Sequence, residues 1–165
     1  MSEFILGRAI GQRLLQVEYV LLPWEASLQP GRVIDAVSRA IILRFESVDL
    51  QFRWVLKPPV ERLIVEPPDA LAQAPLTVTL EVGERWPDLL GTRMVGCEFG
   101  YQHVESGREP WAALLVFEGG ARLLIALGEL VDAVPTYLPD SLVITADAHV
   151  AQGYTPPASE GSPWR

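Results

Sequence analysis

Residues 6–11 read LGRAIG and residues 90–96 read LGTRMVG. The reading of these two stretches decides the fold, because each opens a segment in which apolar and polar residues alternate with period two. That period belongs to half-buried strands and not to amphipathic helices. After the first, Leu15, Val17, Tyr19 and Leu21 lie on one side while Gln16 and Glu18 face away, and Pro23 ends the run. After the second, Cys97, Phe99, Tyr101 and His103 share a side.

Each candidate strand leads on to a hairpin. Ile41, Leu43 and Phe45 form one apolar face, Ser47-Val48-Asp49 makes a short turn, and Leu50, Phe52 and Trp54 resume the face. In the second half, 113–117 runs into Glu118-Gly119-Gly120-Ala121, whose paired glycines suit the positive φ of a tight turn, and 123–127 returns. Leu6-Gly7 matches Leu90-Gly91, Ile10-Gly11 matches Val95-Gly96, Val17-Glu18-Tyr19 matches Cys97-Glu98-Phe99, and Phe45-Glu46 matches Phe117-Glu118. The offset falls from 84 residues at Leu6 to 72 at Phe45, so the match needs gaps in loops. An internal duplication explains it; two ordinary glycine-punctuated meanders would also share the alternation, though not the Leu-Gly and Phe-Glu pairs.

The expected fold is therefore mainly β, an antiparallel sandwich or split barrel built from two similar units with little helix. Unit one covers about 4–54, connecting strands fill 55–89, and unit two covers about 90–150, all within one compact domain over 1–155. Pro58-Pro59, Pro67-Pro68, Pro75 and Pro87 break the connection, yet 60–65 and 76–82 are apolar enough to be strands. Residues 69–73 suit a short turn, 31–39 carries Val33, Val37 and Ala40 at helical spacing and is ambiguous between one helical turn and two, and 141–145 reads as a last buried strand. The tail over 156–165 has a surface composition rich in Pro, Ser and Gly.

Composition bounds function. The chain has 165 residues, is 49% hydrophobic and 21% charged, and carries a net charge of −8. Those proportions suit a folded globular domain. The charge is uneven. Residues 1–57 hold seven bases and six acids, a balance of +1, whereas 58–165 hold six bases and fifteen acids, a balance of −9. Such an excess repels phosphate backbones and anionic lipid, which argues against nucleic-acid or membrane-surface partners and permits a basic protein. Met1-Ser2-Glu3-Phe4 lacks the basic start of a secretory signal and no apolar run is long enough to span a bilayer, so a cytoplasmic location is expected. The single cysteine, Cys97, fits a reducing compartment and reads as a small buried hydrophobe.

Catalytic patterns are sparse. Asp147 with His149 on a strand, and His103 with Glu105, are the sole pairings with ligand spacing, and neither makes a metal cluster by itself. There is no G-x-S-x-G elbow, and Gly119-Gly120 lacks the helix and lysine of a phosphate loop. No cofactor and no metal are expected. Trp24, Trp86, Trp111 and Trp164 lie in connections beside or near prolines, where an indole plugs the end of a β core or anchors a partner.

The expected function is a non-enzymatic interaction module with a basic protein partner. The combination of small size, acidity and missing chemistry resembles small acidic bacterial proteins that bind and neutralise toxins, which implies an immunity-type inhibitor. The partner-binding residues expected are Glu98, Glu105, Glu109, Glu118, Glu129 and Asp132 as one continuous acidic face, with Trp111 as an apolar anchor at its margin. A homodimer is compatible with this reading. The alternative is a ligand-binding or enzymatic β-sandwich or barrel with a polar pocket between the units that holds both histidines.

Overall fold

The structure, a computed structural model, describes residues 2–25, 33–57, 60–68, 76–105 and 107–154. The turn expected at 69–73, the tail from 156 and Trp164 lie outside the described residues. The protein is mainly β. Its strands are β1 (Leu14–Leu21), β2 (Ile34–Val37), β3 (Ala40–Phe45), β4 (Asp49–Lys57), β5 (Val60–Glu66), β6 (Val78–Glu81), β7 (Met94–Val104), β8 (Gly107–Phe117), β9 (Arg122–Leu127), β10 (Glu129–Val131), β11 (Val134–Thr136) and β12 (Leu142–Thr145). Two five-stranded sheets have the orders β5-β4-β3-β1-β6 and β2-β12-β9-β8-β7, every pairing is antiparallel, and β10-β11 forms a small hairpin.

Both sheets contribute to one hydrophobic cluster. Tyr19, Leu43 and Phe52 from the first pack with Leu115, Ile125 and Ile144 from the second. The inner strands β8, β9 and β12 are buried on both faces, which explains their near-continuous apolar sequences. Edge strand β5 of the first sheet packs against β8 and β9 of the second.

The two stretches that opened the sequence meet at the junction. The Gly11 N–H donates to the Met94 carbonyl at 2.7 Å and the Gly91 N–H to the Leu14 carbonyl at 2.8 Å. Leu14 N–H reaches the Thr92 carbonyl and Met94 N–H the Gln12 carbonyl, each at 3.0 Å. Exchanging 11–14 with 91–94 turns each of these bonds into another of the four. Gly11 and Gly91 have φ of +85° and +79°, a region that costs little only without a side chain. Each following strand also bulges at the same step. Leu14 pairs with Phe45 but Gln16 with Arg44, and Met94 pairs with Phe117 but Gly96 with Val116. The extra residues, Leu15 and Val95, are 58% and 49% exposed.

The equivalence therefore runs Gly11 to Gly91 and Val17-Glu18-Tyr19 to Cys97-Glu98-Phe99. Two of the sequence matches are corrected: Leu6-Gly7 lies in a helix, α1 (Ser2–Ala9), whose Ile5, Leu6 and Ala9 are buried, and Ile10-Gly11 corresponds to Leu90-Gly91 and not to Val95-Gly96, which lies within β7. A second helix, α2 (Ala148–Gln152), begins at Asp147, whose carboxylate accepts the Val150 N–H at 2.9 Å. No described helix is long and apolar enough to cross a membrane.

Candidate functional site

The expected acidic residues do not form one face. The β7–β8 ladder runs from Met94 opposite Phe117 to Val104 opposite Gly107. Glu118 follows one end and Glu105 the other, so about ten residue steps, roughly 30 Å, separate them. Glu98 is exposed along β7, and Glu129 and Asp132 are exposed on the β10–β11 hairpin. Asp132 and Ala133 occupy its turn with φ of 50° and 64°.

Glu109 is buried, and Arg62 donates to it at 3.4 Å. Trp111 is fully buried and is no surface anchor. Gly100 pairs with Ala112 but Tyr101 with Pro110, leaving Trp111 as the extra residue of a bulge. Its ring stacks on Tyr154, centroids 5.0 Å apart, and lies over Gly100, where a Cβ would come within 3.0 Å of the indole. Burial also pushes the Tyr154 phenol pKa up.

Another group of charges does converge, where the chain crosses from one sheet to the other. Only Ser38 and Arg39 separate β2, at the edge of the second sheet, from β3 in the first. This corner is tightly held. Glu25 accepts the Leu22 N–H at 2.8 Å, the Ser38 N–H at 3.2 Å and the Ser38 hydroxyl. The Trp54 indole N–H donates to the Ser38 carbonyl at 2.9 Å, and the Ser141 hydroxyl to the Val37 carbonyl at 3.2 Å.

Beside the corner opens a cleft of about 570 Å³ whose walls include Glu25, Arg39, Trp54, Glu129, Asp140 and Ser141. The first sheet supplies Trp54, β10 supplies Glu129, and the loop before β12 supplies Asp140. Among the described residues, no ion pair holds Arg39, Glu129 or Asp140. Trp24, next to Glu25 in a single 3-10 turn, is 76% exposed. It is not a plug. Trp86 and Trp111 are buried and do fill the core.

The gap between β5 and the β7–β8 hairpin, about 450 Å³, is different in kind. Its charges are engaged with one another: Arg62 with Glu109, Glu66 with Arg53, and Arg108 over the Tyr101 ring at 4.0 Å. Neither histidine lines it. His103 and His149 are exposed, and Asp147-Ala148-His149 is the start of α2 instead of a strand, with Asp147 spent as its cap. Among the described residues, no three His, Cys, Asp or Glu side chains stand together as a metal site. Cys97 is partly buried, and desolvation, reinforced by Glu98, pushes its thiol up to about 12.

Of the residues expected from sequence, only Glu129 reaches the corner cleft. Glu25, Arg39 and Asp140 were not singled out, and the visible signal for them was modest. Pro23-Trp24-Glu25 places an aromatic and an acid in a strand-ending turn, and Ser38-Arg39 is the polar interruption between two apolar strands. No protein-family model, no curated protein and no solved structure matches the chain.

Proposed function

We propose that the protein is a non-enzymatic interaction module that takes a basic segment of a protein partner at the corner cleft. The observation that carries this reading is the convergence of Glu25, Glu129 and Asp140 on one open cleft, none of them in an ion pair among the described residues, and only Glu25 engaged by hydrogen bonds. Exposed Trp24 adjoins it in sequence. An aromatic anchor beside unspent charge combines the apolar contact that dominates interface energy with the electrostatics that select a partner. The net charge of −8 favours a basic protein over nucleic acid or an anionic membrane.

An immunity-type inhibitor of a basic bacterial toxin, acting in the cytoplasm, is the specific form this proposal takes. The repeated segments 11–19 and 91–99 are proposed to descend from one duplicated unit, which the exchangeable bonds and matched bulges support. On this reading the duplication built the frame, and the departures from it, the β2–β3 corner and the β10–β11 hairpin, built the site.

The test is capture of a basic protein on the immobilised full chain, repeated with a Glu129→Lys, Asp140→Lys double variant and with Trp24→Ala. Each variant is expected to lose the partner while keeping the wild-type unfolding midpoint. A partner retained equally by all three proteins would place the interface elsewhere.

A further inference from the structure

The geometry points to a carboxylate-binding subsite on the Arg39–Trp54 wall of the corner. Arg39 differs from the arginines that hold ion pairs. Arg44, Arg53, Arg62, Arg85 and Arg93 each have a carboxylate partner. The Arg39 Nε is buried and has no hydrogen-bond partner, although Glu25, Glu129 and Asp140 line the same cleft. The Arg62 Nε and the Trp86 and Trp111 indole N–H groups are likewise unmatched, but Arg39 also lines the open corner cleft, where a group from outside can reach its donor. The backbone on either side of Arg39 is fixed, by the Ser38 bonds before it and by the β3 ladder after it.

Arg39 also belongs to a second, smaller cleft of about 250 Å³, shared with Arg53, Trp54, Val55 and Leu56. Arg53 is matched by Glu66, so the unspent positive charge on this wall is that of Arg39. A planar guanidinium that shares a cleft with an indole and aliphatic side chains suits a planar monoanion, which it can meet through two parallel N–H bonds. A phosphate dianion fits poorly, because the three carboxylates nearby repel a second charge. The subsite therefore takes a carboxylate, carried either by an acidic residue beside the partner's basic side chain or by a small free acid. It rests on the proposed reading of the cleft only for the first of those sources.

The test is a titration of the full chain, labelled with nitrogen-15 at arginine and tryptophan, with four probes. These are sodium acetate, inorganic phosphate, acetyl-Arg-Glu-amide and acetyl-Arg-Gln-amide. Acetate is expected to move the Arg39 Nε–H resonance saturably, with phosphate at equal ionic strength having little effect. The Arg-Glu peptide is expected to bind about fivefold more tightly than Arg-Gln, a difference that disappears in Arg39→Gln. The indole resonance of Trp111, buried in the core and absent from both clefts, reports that the variant keeps its fold.

An Arg39 resonance that ignores both acetate and the Arg-Glu peptide overturns the subsite, as does a phosphate response equal to that of acetate. Saturable acetate binding with equal affinity for the two peptides upholds the subsite and assigns it to small free acids. Acetate binding in the absence of any peptide binding also upholds it, and counts instead against the acidic cleft as the seat of a basic partner.

Discussion

The two faces of strand β2 meet charge in two states, paired on one side and, among the described residues, unpaired on the other. Asp35 and Ala36 are neighbours and so point to opposite sides of the sheet. On the Asp35 side, the carboxylate is buried and fully engaged. The Tyr19 hydroxyl donates to it at 2.8 Å, and Arg85 grips both oxygens at 2.8 and 2.6 Å. This ties β1 of the first sheet, β2 of the second and the connection before β7 into one closed unit. On the Ala36 side lies the corner cleft, where Arg39, Glu129 and Asp140 have no ion pair among the described residues. Buried charges that satisfy one another hold the sheets together; charges left beside an open cleft contribute little to folding and remain available for recognition.

The largest effect should come from breaking the closed side. Asp35→Ala removes the carboxylate that Arg85 grips through two bonds and that the Tyr19 hydroxyl donates to, and should lower stability by about 3–5 kcal/mol, read as a fall in the denaturant midpoint. The same unit governs the alkaline limit. Burial, and then Asp35, hold the Tyr19 phenol pKa well above its usual value. That contribution is complete below the unfolded phenol's pKa of about 10 and is lost as pH rises beyond it, so stability should decline above pH ~10 and Tyr19→Phe should lessen the decline.

Next in size is Gly100→Ala, which presses a methyl against the Trp111 indole at 3.0 Å and should cost about 1–3 kcal/mol. Gly11→Ala and Gly91→Ala should each cost about 1 kcal/mol, from positive φ alone, since a Cβ meets nothing within 4 Å at either position. Near equality of the two is a check on their equivalence. The smallest effect belongs to the open side: Glu129→Gln and Asp140→Asn should each change stability by less than about 0.5 kcal/mol in chemical denaturation.

The strand content was legible because most strands alternate over short spans. β1, the β3–β4 hairpin, β5 and β6 fall close to the expected segments, and the Gly119-Gly120 turn has φ of 82° and 88° as its sequence demanded. Helix α1 was hidden because Leu6-Gly7 resembled Leu90-Gly91 and the helix buries only a few residues around a poor helix former. Bulges at Leu15, Val95 and Trp111 each shift the alternation by one, so a face read on one side of a bulge does not continue on the other. Trp111 and Glu109, expected in a connection beside Pro110, instead lie within β8, which begins at Gly107 and packs into the core. The corner cleft was not legible, because it joins residues 25, 39, 54, 129 and 140 through pairings between sheets that no local pattern encodes.

The central claim is that the unspent charge at the corner draws in a basic partner. Its most direct measurement is the association rate constant of the captured partner at about 50 and about 300 mM salt, for wild type and for the Glu129→Lys, Asp140→Lys double variant. Wild type should associate roughly tenfold faster at the lower salt, and the double variant should associate slowly at both with little salt dependence, its dissociation rate changing less. Association that is equally fast in both proteins and indifferent to salt would contradict the claim and leave the corner's acids as surface charge only.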